Sequence, residues 1–239
     1  MRAMSHLPLA VSLLRRGVDG IDDAVLLMVA VTLMWSIAGV VTRHLEHAAS
    51  FEVTFWRSFF TLLSLLVILP ALQGRAVFAS MRHSGRALWI SGVCWSVMFT
   101  AFMVALTLTA VANVLITMAV GPLLTALITR VFLGHRLPAR TWLAIVLAGI
   151  GIGWMYGSQL SLGDPNFLIG SLVALCVPIA GSVQWTLVQK SQSEGQNLDL
   201  VPSVMLGAIL SSLLALPLSM PFQASAHDVG LLAILGLFQ

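Results

Sequence analysis

Apolar positions in this chain fall in blocks rather than in stripes or alternations. Eight nearly unbroken runs can be drawn: Ala24–Val41, Val53–Leu72, Ala87–Leu108, Ala110–Phe132, Thr141–Gly157, Phe167–Val188, Leu200–Met220 and Val229–Gln239. The first seven are about 17–23 residues long, which at about 1.5 Å per residue suits a hydrocarbon core about 30 Å thick. Polar, Gly and Pro residues separate them. The pattern predicts an all-α fold, a polytopic membrane helix bundle. The eighth run breaks off after about half a span, and its last carbonyls would lie unpaired in lipid. The expectation is therefore a chain that forms part of a longer protein and transports little by itself. Residues 1–22 read as a cytoplasmic tail. Leu7–Leu14 is short and runs into Arg15-Arg16 rather than a small-residue cleavage site, so it does not read as a signal peptide.

Composition sharpens the class. Charged residues make up 9% and hydrophobic ones 59%, where a soluble domain has about 25% charged residues. The net charge of +3 is spread over helix ends and forms no patch, so nucleic acid is not an expected partner and the lipid bilayer is. Cys94 and Cys176 sit inside apolar runs, where a disulfide is not expected. With the tail inside, Arg2, Arg15, Arg16, Arg75, Arg82, Arg86, Arg130, Arg136, Arg140 and Lys190 all share one face, and only Arg43 lies on the other. That bias sets the N-terminus in the cytoplasm of a cell whose inner membrane holds the bundle.

A weak internal repeat runs through the chain. Ser36–Val41 (SIAGVV) returns as Pro178–Val183 (PIAGSV), and Glu52, Ser64 and Leu69-Pro70 return as Asp199, Ser211 and Leu216-Pro217. The order is kept and the offset is nearly constant. Five spans separate the copies, an odd number, so the second copy must be inverted. Inverted repeats are the architecture of secondary transporters, which rock one half against the other around a central site.

The stretch Ala105–Gly157 carries a resemblance. Its segment GPLLTALITRVFLGHRLPARTWLAIVLAGIGIG holds Pro122, Phe132-Leu133-Gly134, Arg136-Leu137-Pro138 and the glycines 149, 151 and 153. These resemble the signature of EamA-type permeases of the drug/metabolite transporter superfamily, a Pro-centred helix, a basic turn and a Gly-patterned helix. His135 departs from it, because the family usually has Glu there. The resemblance covers the chain from about residue 24 onward. It implies a ten-helix layout, with residues 23–157 as a first five-helix repeat and 158–239 as a partial second one of about two and a half helices. It implies a carrier of small metabolites or drugs.

Candidate pathway residues follow from polar groups inside apolar runs. Arg57 lies within span two. A basic residue at a helix centre costs about 2.5–3.5 kcal/mol, against about 3–6 kcal/mol returned by the Phe, Leu, Ile and Val residues between Phe55 and Leu69. The span inserts, and Arg57 either draws an anionic or carboxylate-bearing substrate into a cavity, or snorkels outward or pairs with Glu52 or a backbone carbonyl. Asn113, Thr117, Gly121 and Thr125 recur at spacing four beside Pro122, which removes a helix hydrogen bond. That face either lines a pathway or glues helices together. Trp35 and Ser36 in span one and Gln184 in span six complete the candidates; Trp185 reads as an interfacial Trp. Gly149, Gly153 and Gly157 form a helix-packing face for another helix of the chain, and leave a homodimer open. The expected cavity is lined by spans one, three, four and six. No Asp or Glu lies mid-span, all histidines lie outside the spans, and no phosphate-binding G-x-x-x-x-G-K-[ST] occurs. The reading is thus not an enzyme, with no metal, no cofactor and a small-molecule substrate. The alternatives are a membrane enzyme, for which His44 and His47 are the one candidate pair, and a non-transporting scaffold.

Overall fold

The computed structural model describes residues 21–74, 77, 78, 81, 85–134, 138–159, 165–193 and 200–238. Residues 1–20 of the tail, His135, Arg136 and Asp199 lie outside the described residues, as do the surroundings of Gly157. Every apolar run is helical. The helices are α1 (Ile21–Arg43), α2 (Ser50–Gln73), α3 (Gly85–Leu108), α4 (Val111–Met118), α5 (Gly121–Leu133), α6 (Ala139–Gln159), α7 (Pro165–Ser193), α8 (Pro202–Ala215) and α9 (Ala226–Phe238). Among the described residues, five stretches are long and apolar enough to cross a membrane: Val25–Arg43, Ser50–Ala71, Gly85–Leu108, Val111–Phe132 and Asn166–Ser193. Ala139–Gly151, Pro202–Leu218 and Ala226–Phe238 are shorter apolar pieces.

Two runs expected as single helices are broken. The fourth divides into α4 and α5 at Ala119-Val120. Pro122 has no N–H for the carbonyl of Met118, and the chain tightens there, Val120 N–H bonding the Thr117 carbonyl at 3.1 Å. The seventh leaves α-geometry at Ala215 and ends in a 3-10 turn, Leu216–Leu218, around Pro217. At the end of α5, Gly134 takes φ 67° and its N–H bonds the Arg130 carbonyl at 3.1 Å. This left-handed cap accounts for a glycine in the Phe132-Leu133-Gly134 motif.

Among the described residues, the more extensive contacts between the first three spans (α1, α2, α3) and the last three (α7, α8, α9) are α3 with α7 and α8, α2 with α8 and α9, and α1 with α9. Exchanging α1 with α7, α2 with α8 and α3 with α9 turns each of these pairs into another member of the same set. A two-fold related repeat requires that closure.

Glycine and serine make the close approaches. A Cβ at Gly207 of α8 would fall 2.4 Å from Cβ of Trp95 on α3, and one at Gly92 would fall 2.5 Å from Leu206. Gly236 of α9 sits against the Arg57 carbonyl and Phe60 of α2. Ser58 donates to Ser211 at 3.0 Å, Thr100 and Ser211 lie 2.9 Å apart, and Ser91 donates to Ser203 at 2.6 Å. Lipid offers no partners for buried polar groups, and these hydroxyls between helices bond one another. Among the described residues, none packs against Gly149 or Gly153. No heavy atom lies within 4 Å of a Cβ built at either, and the described part of α6 is exposed or half-buried. It meets α5 where the Arg130 guanidinium lies 5.3 Å from the Trp142 ring centre. The spacing of these glycines is right for close packing, but no bulky knob of the described chain reaches them.

Candidate functional site

A cleft opens between the two sets of helices. Its closed end is a chamber of about 130 Å³ walled by Trp35, Arg57, Thr61, Leu65, Trp95, Met98, Phe99, Phe102, Met118, Val177 and Val204. Its wider end is a vestibule of about 580 Å³ bounded by Gly121, Pro122, Thr125, Thr129, Ser182, Trp185 and Gln189 among others. Trp35, Met98, Met118 and Val177 border both, so chamber and vestibule are neighbouring parts of one cleft.

The chamber wall follows from helix periodicity. Trp95, Met98, Phe99 and Phe102 are spaced by three or four and share one face of α3, and Arg57, Thr61 and Leu65 do the same on α2. Arg57 is only 5% exposed. Its guanidinium carbon lies 4.8 Å from the Phe99 ring centre, a cation–π contact of about 2 kcal/mol when shielded from water. Thr61 gives its hydroxyl to the Arg57 carbonyl at 2.9 Å. The one full charge of the chamber is thus set into walls that, apart from the Thr61 hydroxyl, are aromatic, thioether and aliphatic.

A smaller core cluster of Leu69, Val77 and Met205 lies beyond Leu65 towards the C-terminal end of α2, and the larger one lies to one side of the chamber. On α1 it is Ala38 and Val41, beyond Trp35; on α2 Val53, before Arg57; on α3 Met103, Ala105 and Leu106, beyond Phe102; on α4 Val114, before Met118; on α7 Ala174, before Val177. Leu232 and Leu235 of α9 fill the same layer. Apart from the two on α9, which sit in its middle and C-terminal half, these positions lie towards the N-termini of α2, α4 and α7 and the C-termini of α1 and α3. That end of the bundle is a packed plug. The vestibule lies on the opposite side of the chamber, towards the C-terminal ends of α5 and α7, where hydroxyls replace the aromatic walls. Thr125 bonds Gly121 O at 2.9 Å and Ser182 at 3.2 Å, and Ser182 bonds Pro178 O at 2.6 Å.

The sequence candidates divide accordingly. Trp35 and Arg57 wall the chamber and Pro122 the vestibule. Ser36 is exposed and bonds Leu33 O at 2.7 Å, outside the cleft. Asn113 and Thr117 are buried; the Asn113 amide bonds Thr109 at 3.0 Å and the Thr117 hydroxyl bonds Asn113 O at 2.8 Å. They lie away from the cleft walls. Gln184 is buried beside the cleft with no hydrogen bond to its Oε1. Trp185, one residue on, borders the vestibule rather than serving only as an interfacial Trp. Glu52 accepts loop amides from Gln223 and Ala224. Spans two and seven join the expected wall helices through Arg57 and Val204. Sequence reading missed the α3 face; its spacing of three and four was the available signal. His44 Nδ1 lies 2.8 Å from Val40 O, and among the described residues no three His, Cys, Asp or Glu side chains gather in a metal-holding group.

Together these features define an integral membrane protein, an α-helical bundle with a chamber at its centre that holds one buried cation and is closed at one end. Residues 23–157 match the EamA-like transporter family, and the chain belongs to that family, whose members are transporters of small molecules and not enzymes. No curated protein and no solved structure matches the chain.

Proposed function

We propose that this protein is a secondary carrier that moves small organic anions or zwitterions with an apolar body by alternating access. Its place is a cell's inner membrane, with the N-terminus in the cytoplasm. The observation that carries the reading is Arg57, a buried guanidinium at the closed end of a chamber walled by rings and thioethers. A charge in low dielectric stabilises an opposite charge far more than one in water does, and the aromatic and Met faces suit the apolar part of the same molecule. Basic residues crowd the end of the bundle where the vestibule opens. By the positive-inside bias that end is cytoplasmic, so the conformation is open inward and plugged outward. The small exposed pair His44 and His47 offers no comparable chemistry for an enzyme.

The test is transport by the full-length protein in proteoliposomes, against a panel of carboxylates, zwitterions, amines and neutral solutes. Arg57→Gln should cut transport of anions and zwitterions roughly 10- to 100-fold, the range corresponding to one hydrogen bond to a charged group. Arg57→Lys should keep part of it. If Arg57→Gln moves anions as the unaltered protein does, Arg57 is a structural anchor and the substrate class is wrong.

A further inference from the structure

Two carboxylates outside the chamber walls form a crossed arrangement that the carrier reading does not use. Glu52 is the third residue of α2 and Asp228 the third residue of α9. Both are 0% exposed. Each binds the loop that leads into the other's helix. Glu52 accepts from Gln223 N–H at 3.0 and 3.2 Å and from Ala224 N–H at 2.9 Å, in the segment before α9. Asp228 accepts from Glu46 N–H at 3.0 Å and His47 N–H at 3.1 Å, in the segment before α2. Asp228 also closes a capping box with Ser225: Ser225 N–H bonds its carboxylate at 3.3 Å, and its own N–H bonds Ser225 Oγ at 3.1 Å.

An acid in the first turn of a helix ordinarily serves its own helix end. Glu52 does not: the N-cap of α2 is Ala49, which makes no side-chain cap bond. The loop that Glu52 holds is also seated by rings, Phe222 lying 5.5 Å from both Phe55 and Trp56. Glu52 stands five residues outward of Arg57, about 7.5 Å along the helix axis. The crossed bonds therefore lie at the outer margin of the plug, and they tie the α1–α2 hairpin of the first half to the α8–α9 hairpin of the second.

We propose that Glu52 and Asp228 are the two arms of an outer latch, which holds the plug shut in the inward-open state and must release for the chamber to open outward. This rests on the carrier reading for its purpose, and on the crossed bonds for its parts. Packing alone would close the plug; the latch adds directional bonds that a small movement of either hairpin breaks together. Hydrogen bonds to ionised groups are strong and steeply distance-dependent, which suits a contact that must be either made or lost.

The test reads accessibility. A single reporter, Met98→Cys, borders both chamber and vestibule, in full-length protein with Cys94 and Cys176 replaced by Ala. A membrane-impermeant maleimide is applied from outside to right-side-out vesicles and from the cytoplasmic side to inside-out vesicles. With the latch intact, labelling should come from the cytoplasmic side and only slowly from outside. Glu52→Gln and Asp228→Asn keep shape and one acceptor oxygen. Each should raise the outside labelling rate about tenfold, the change expected when a bond to a charged group is lost. Folded variants that label from inside but show no faster outside labelling overturn the latch and leave the carrier standing. A reporter that no cytoplasmic reagent reaches in the unaltered latch background overturns the inward-open carrier reading itself. Should the isosteric variants fail to fold, His47→Cys with Ser225→Cys decides. Both backbone nitrogens lie within 3.3 Å of the same Asp228 oxygen. Their oxidised cross-link should stop transport and spare inside labelling, and transport that continues with the link formed overturns the latch.

Discussion

Adding one methyl group at two different glycines separates the packing described here from any looser bundle. At Gly207 the new Cβ would lie 2.4 Å from Cβ of Trp95, 3.1 Å from the Gly92 carbonyl oxygen and 3.1 Å from the Ser96 nitrogen. Ordinary Cβ contacts lie at 3.4–4 Å and essentially none below 3.0 Å, so α3 and α8 would have to separate by about 0.6–1 Å. The atoms in the way are backbone and the root of a side chain, which no rotamer change removes. Overpacking of this kind costs about 1–3 kcal/mol, offset in part by about 0.5–1 kcal/mol from replacing a mid-helix glycine by alanine. At Gly149 the same methyl meets nothing within 4 Å, so only the helical gain remains. Gly207→Ala should therefore be less stable than the unaltered protein and Gly149→Ala at least as stable. The gap between them should be about 1–3 kcal/mol, or about 2–12 °C in Tm at about 2–4 °C per kcal/mol for a chain of this size. Fluorescence-detected size exclusion after graded heating in detergent measures it. If Gly207→Ala melts no lower than Gly149→Ala, α3 and α8 do not meet at Gly92 and Gly207, and the chamber wall built on Trp95 and Met98 falls with them.

Two smaller effects are open to the same assay. Gly134→Ala should lower stability by about 1–2 kcal/mol, because an L-residue strains in the left-handed cap at φ 67° although space there is free, and Gly134→Asn should lose less. Ser211→Ala removes the shared partner of Ser58 and Thr100 between α2, α3 and α8 and should cost about 0.6–1.7 kcal/mol; no loss would mean that those hydroxyls are satisfied elsewhere.

Helix number and class were legible because lipid imposes them: a run long enough to span and too poor in charge to dissolve has no alternative to helix. The break in the fourth run was half legible, since Pro122 announces a lost bond but not that the chain would tighten three residues earlier. The cleft was legible at Arg57, where burying a charge has an energetic cost that asks for a reason. It was not legible on α3, because an aromatic or Met face towards a chamber and one towards lipid look alike in a sequence that is apolar all round. Polarity misled in the opposite direction. Ser36 and Thr117 close on their own helix backbone, so a hydroxyl in a span needs neither a cavity nor a neighbouring helix.

Small residues and acids show why placement outran pattern. Gly149, Gly153 and Gly157 have the spacing of a packing face. The approaches that matter are instead single glycines opposite one large residue each, such as Gly207 opposite Trp95 and Gly92 opposite Leu206, and no periodicity marks them. Glu52 and Asp228 sit at the ends of apolar runs, where an acid reads as a solvated loop residue. Only the fold brings the hairpin of one half under the carboxylate of the other, and that crossing has a physical consequence. Among its described walls the chamber carries one charge, the Arg57 cation, while Glu52 and Asp228 stand outside it, bonded to backbone. On the carrier and latch proposed above, a substrate anion in the chamber thus meets no competing carboxylate among the described walls, and the acids hold the outer end shut.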